Sequence, residues 1–137
     1  MTISEMNIGD SASMSKTITE TDVYLFAGIT GDFNPVHVNE AIASNTIFKG
    51  RIAHGVLSAG FISAVLAMKL PGPGTIYLKQ DLIFTKPVRI GDTVTAICTV
   101  TELDTTKNIA RLETVCSNHK GDIVIQGSAI VMPPKAC

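Results

Sequence analysis

The sequence predicts an α+β chain in which a curved antiparallel sheet wraps one long central helix. Three observations carry that reading. Residues 54–69 are apolar or small on every helical face, interrupted only by Ser58, Ser63 and Lys69; a helix without a polar face is a buried helix. The run is shorter than the ~20 apolar residues that cross a bilayer and holds two serines and two glycines, so it reads as a core helix. From Thr75 onward the hydrophobic period changes to two, the signature of half-buried strands.

Composition narrows the function classes. Length and content fit one domain, residues 1–137, with a single core. A hydrophobic fraction of 45% against 17% charged residues excludes a disordered chain. A net charge of −1, no Trp and 5% aromatics argue against a nucleic-acid partner, which needs a basic face and stacking platforms. No membrane partner is expected, and residues 1–13 lack the apolar run of a secretory signal. Cys98, Cys116 and Cys137 are odd in number and without metal-like spacing, so they read as reduced thiols of a cytoplasmic protein. With three histidines and no Cys-x-x-Cys, no metal site is expected.

Along the chain, residues 13–18 alternate weakly, as a short strand. Thr19 and Asp22 form a helix-start pair, and the apolar residues 23–29 make two turns that Thr30-Gly31 ends. The segment Gly31-Asp32-Phe33-Asn34-Pro35-Val36-His37 is the most polar and reactive of the chain. Asn34, before Pro35, avoids the helical region, which bends the backbone. Asp32 and His37 stand five residues apart, on different faces of a straight helix, but such a bend can turn both to one space. A carboxylate and an imidazole that converge can hold and activate a water. On spacing alone the pair reads more readily as a helix cap and a packed histidine.

A second short helix spans 39–43, capped by Asn39, and residues 44–51 connect to the core helix. His54-Gly55 stands at that helix's start, where free N–H groups and the dipole can hold developing negative charge on a carbonyl oxygen. On the residues alone, Gly55 reads more readily as a simple turn into the helix. Pro71-Gly72-Pro73-Gly74 stops the helix. Strands follow from Thr75, over 93–101, 109–117 and 123–132, joined by a long turn at 86–92 and polar turns at 104–108 and 118–122. On the first of these Ile76, Leu78, Leu82 and Phe84 share a face with Gln80. Four strands on short turns predict an antiparallel meander. The last strand is apolar on both faces, and a long apolar edge left unpaired invites association, which predicts a homodimer.

Phe26-Ala27-Gly28-Ile29-Thr30-Gly31-Asp32-Phe33-Asn34-Pro35-Val36-His37, followed by Ala43, resembles the hydratase motif of the MaoC-like (R)-specific enoyl-CoA hydratases. Arg51-Ile52-Ala53-His54-Gly55, Gly74-Thr75-Ile76-Tyr77-Leu78 and the segment 84–92 also resemble that family, in its order, so the likeness runs from about Gly9 to Met132. The resemblance implies a hot-dog fold, a homodimer joined sheet edge to sheet edge, and acyl sites near the interface. It implies that Asp32 and His37 are the catalytic pair and that the Gly55 N–H polarises the thioester carbonyl. It further implies that Asn34 shapes the loop, that Ser63 lies near the site, and that Leu66 and Val131 line the acyl pocket. The substrate class it implies is an acyl-CoA, and the reaction it implies is reversible hydration of a trans-2-enoyl-CoA to an (R)-3-hydroxyacyl-CoA, with Asp32 as base and His37 orienting the water. No cofactor is expected, coenzyme A being part of the substrate. The alternatives on the same fold are an acyl-CoA thioesterase and a non-catalytic acyl-CoA-binding module.

Overall fold

A computed structural model describes residues 1–137. In chain order the elements are β1 (Ser11–Thr17), α1 (Glu20–Thr30), α2 (Pro35–Val38), α3 (Glu40–Ala43), α4 (Gly55–Met68), β2 (Ile76–Phe84), β3 (Thr93–Asp104), β4 (Ile109–Ser117) and β5 (Ile123–Met132), after a 3-10 turn at Ile3–Glu5. Apart from the 3-10 turn and α2, which the sequence does not predict as helical, their boundaries lie within a few residues of those the sequence predicts, because caps and breakers set them. Thr19 accepts from the Asp22 N–H while Asp22 accepts from the Thr19 N–H, at 3.1 and 2.9 Å, and so opens α1. Gly31 ends it in the left-handed region at φ 82°.

The architecture is the expected hot-dog one, a long helix held in an antiparallel sheet. The sheet has five strands in the order β1-β3-β4-β5-β2, every neighbouring pair antiparallel. Strands β3, β4 and β5 form the predicted meander, but β2 does not belong to it. It pairs with β5 at the far edge, and the chain then crosses the sheet to begin β3. The crossing is possible because the 85–92 connection finds its own backbone partners on the way. The Ala53 N–H donates to Val88, Ile18 donates to Asp92, and Gly91 donates to Ile18, at 2.7–2.8 Å.

The core lies between α4 and the sheet's concave face. Phe61, Ile62, Val65 and Leu66 of α4 meet Val94, Ala96, Cys98 and Val100 of β3, Ala110, Leu112 and Cys116 of β4, and Val124, Ile125, Ala129 and Val131 of β5. Every second residue of β3 and β4 is buried over most of their length, as period two requires. Burial pushes the Cys98 and Cys116 thiols up to about 12, so both remain protonated packing groups.

Two expectations need correction. The central helix is not enclosed on every side. Val56 and Met68 are 58% and 69% exposed, and Gly60 and Ala67 open on the same side, because one sheet covers only one face of a helix. Nor does β2 alternate cleanly. A bulge between Tyr77 and Lys79 inserts Leu78, and Ile76, Tyr77, Leu78, Ile83 and Phe84 all remain substantially exposed.

Gly127 of β5 marks where β2 presses closest to its neighbour. A Cβ at this position would stand 1.9 Å from the Asp81 backbone oxygen. Gly127→Ala therefore has to push two strands apart, and about 3 kcal/mol of stability is expected to go, read as a lower urea midpoint.

Candidate active site

The polar loop folds as a series of local side-chain to backbone bonds. The Asn34 N–H donates to Asp32 Oδ1 at 3.2 Å, and Asn34 Oδ1 accepts from the Val36 N–H at 3.2 Å. Asn34 thereby caps α2, and Pro35 supplies a first helical residue that needs no N–H partner. The result is the bend expected at Asn34-Pro35. It leaves Asp32 exposed and turns His37 inward until it is 9% exposed.

The segment 51–55 receives that loop. Arg51 is the anchor, donating to Glu20 at 2.6 Å and to the Tyr24 hydroxyl at 2.8 Å, with its Nε 3.5 Å from Glu40. It fastens α1 and α3 to the connector, and Arg51 and Tyr24 together hold the Glu20 carboxyl below the usual carboxylate range. Ile52 bonds α2 twice. Its N–H donates to the Val36 carbonyl at 3.1 Å, and its carbonyl is 2.7 Å from His37 Nδ1. A carbonyl can only accept, so Nδ1 carries the proton and Nε2 is the free atom of the neutral ring. His54 faces the same loop, with Nε2 2.9 Å from the Asp32 backbone oxygen.

Within this frame a carboxylate oxygen of Asp32 and one ring nitrogen each of His37 and His54 lie within 4.8 Å of one another. The two imidazoles stack, centroids 3.9 Å apart at 30°. Each ring spends one nitrogen on a backbone oxygen, His37 Nδ1 on Ile52 and His54 Nε2 on Asp32.

His37 and Gly55 share the wall of a cleft of about 400 Å³, whose other sides come from Phe48, Ile52, Val88, Val124 and the Phe84–Pro87 segment. Gly55 is the first residue of α4, so its N–H has no carbonyl within the helix to bond. The Phe84 ring lies directly over it, with Cδ1 2.6 Å and Cε1 2.7 Å from where a Cβ of residue 55 would stand. Lys86 also lines the cleft and pairs with Asp122 at 3.3 Å.

The structure thus gathers Asp32, Asn34, His37 and Gly55 at the start of α4. It does not bring the remaining expected residues to the cleft of this chain. Ser63 is half-buried two turns along α4, and Leu66 and Val131 are packed in the core at 1% and 0% exposure. Sequence reasoning assigned no role to His54, to the Ile52 carbonyl or to Phe84. The available signal was adjacency for the first two, which flank Ala53 just before Gly55; nothing in the sequence places Phe84 over a glycine 29 positions earlier.

Comparison with known proteins shows the family. The family model described as MaoC like domain matches residues 6–120. An (R)-specific enoyl-CoA hydratase of Rhodospirillum rubrum is 60% identical over 126 residues, which cover 92% of this chain and 87% of that protein. The unliganded R-hydratase PhaJ1 from Pseudomonas aeruginosa superimposes with a TM-score of 0.94 at 45% identity, covering 98% of this chain and 86% of that one. An (R)-hydratase from A. caviae involved in PHA biosynthesis does so with a TM-score of 0.92 at 41% identity, covering 94% and 98%. The chain belongs to the MaoC-like dehydratase family, with its Gly-Asp-x-Asn-Pro-x-His loop folded against the start of the central helix.

Proposed function

We propose that this protein is an (R)-specific enoyl-CoA hydratase, a hydro-lyase that interconverts a trans-2-enoyl-CoA and water with an (R)-3-hydroxyacyl-CoA. The observation that carries the reading is the approach of the Asp32 carboxylate and the His37 ring beside a helix start that has a free N–H and an apolar cleft. The similarity to named hydratases supports the same reading over nearly the whole chain.

In the proposed mechanism the Asp32 carboxylate and His37 Nε2 hold one water between them. Its oxygen bonds to C3 as the C2–C3 double bond opens. The proton it loses passes to the Asp32–His37 pair and returns to C2 on the same face; the other proton stays in the new hydroxyl. Two groups this close share their protons, so the pair acts as one acid–base unit. As C3 is attacked, charge builds on the thioester oxygen, which the Gly55 N–H and the positive end of α4 stabilise. Addition of water is redox-neutral, and the scheme needs no cofactor.

The working assembly we propose is a homodimer. The two sheet edges differ in character. Edge strand β1 is Ser-Ala-Ser-Met-Ser-Lys-Thr, whereas edge strand β2 leaves Ile76, Leu78, Ile83 and Phe84 exposed. A second copy on that edge pairs its free backbone groups and covers the apolar side chains. Sedimentation is expected at twice the chain mass, and Ile83→Lys is expected to shift it to the single-chain mass. No helix is long and apolar enough to cross a membrane; with its thiols reduced, we place the protein in the cytoplasm.

The test is addition of crotonyl-CoA, followed by loss of enoyl-thioester absorbance and by assay of free coenzyme A. Hydration without thiol release is expected. One thiol released per turnover makes the protein a thioesterase, and binding without turnover makes it a carrier.

A further inference from the structure

His54 is the buried titratable side chain at the site that the proposed chemistry leaves unused. It is 2% exposed, and its ring lies between Phe26, at 4.7 Å, and His37, at 3.9 Å. It occupies the N-cap position of α4 but makes no capping bond with its side chain. A residue serving only as a cap would be Ser, Thr, Asn or Asp. One serving only to fill space would be aromatic or aliphatic, because His54 Nδ1 is buried without a hydrogen-bond partner, a cost that a phenyl ring avoids. What the imidazole supplies and those residues do not is its other nitrogen, 2.9 Å from the Asp32 backbone oxygen.

We infer that His54 is a positioning residue that sets the separation between the Asp32 carboxylate and the Gly55 N–H. The inference rests on the hydratase reading. Asp32 sits in an exposed loop, and the bond from its Oδ1 to the Asn34 N–H orients the carboxylate only relative to that loop. The His54 N–H ties the loop itself to the residue that precedes Gly55. Acid–base group and oxyanion donor are thereby linked through one side chain and one peptide unit. The same ring backs the face of His37, whose Nδ1 is held by the carbonyl of Ile52, two residues before His54. Reacting groups tolerate little displacement, and a shift of about 1 Å costs on the order of 100-fold in rate.

Two substitutions separate tether from filler. His54→Phe keeps the ring, its volume and its stacking but loses the donor; His54→Gln loses the ring but keeps a side-chain N–H at similar reach. With crotonyl-CoA, His54→Phe is expected to lower kcat about 100-fold with KM within about twofold of wild type, since His54 is not among the residues lining the cleft. His54→Gln is expected to recover at least about tenfold of that loss. Amide hydrogen exchange over residues 31–34 reads the restraint without turnover, and it is expected to quicken in His54→Phe and not in His54→Gln. The inference is overturned if the two variants match in kcat, if exchange in the loop is unchanged by His54→Phe, or if the loss falls on KM or the thermal midpoint. A wild type that shows the expected exchange pattern but does not hydrate crotonyl-CoA sinks the hydratase reading alone.

Discussion

Asp32→Asn is expected to lower kcat for crotonyl-CoA hydration by about 1,000-fold, a loss of about 4 kcal/mol of transition-state stabilisation. The substitution is close to isosteric, and an amide oxygen can still accept the Asn34 N–H, so the bend at Pro35 should survive. Asp32 is exposed and makes no ion pair, so stability should change by no more than about 0.5 kcal/mol. In the proposed scheme what disappears is the negative charge that holds the water and, with His37, takes up its proton. KM should stay near the wild-type value, because the carboxylate meets the water and not the acyl chain. A variant with a wild-type melting profile that retains a tenth of the activity or more would remove Asp32 from the acid–base unit.

The sequence made the loop legible because its structure is local. Gly31 permits the left-handed exit from α1, and Asn34 and Pro35 restrict the backbone within one or two residues, so the bend has a local cause. The same holds for the capped start of α1 and for the alternating strands β3 and β4. Residues whose role depends on distant partners were not legible. The pairing of β2 with β5 runs from Ile76 with Met132 to Phe84 with Ile125, partners distant in the chain, and nothing in β2 itself selects that neighbour over β3. The open face of α4 was hidden for a related reason. An apolar stripe reads as buried whether it meets its own sheet or a second copy of the chain. His54 fell between these cases. Its position at the helix start was evident, but its partner, the Asp32 carbonyl, lies 22 residues earlier and carries no side-chain signature.

Gly55→Ala is expected to lower kcat/KM about 100- to 1,000-fold, the range for loss of one oxyanion donor. Backbone preference does not cause this. Gly55 has no positive φ, and alanine is the better helix former. The cause is the Phe84 ring, whose Cδ1 and Cε1 would stand 2.6 and 2.7 Å from the new methyl. Such contacts cannot persist, so either the ring swings or the first turn of α4 shifts. Phe84 lines the cleft, so a displaced ring intrudes on the substrate's space. A shifted helix start instead moves the N–H away from the thioester oxygen. Either way, removing the ring should relieve the clash. Phe84→Ala is therefore expected to return at least tenfold of the activity lost in Gly55→Ala, while costing the wild type much less. That non-additivity is what contact between the two positions requires. If the double variant is instead as impaired as the product of the singles, the two sites act independently and the ring does not govern access to the Gly55 N–H.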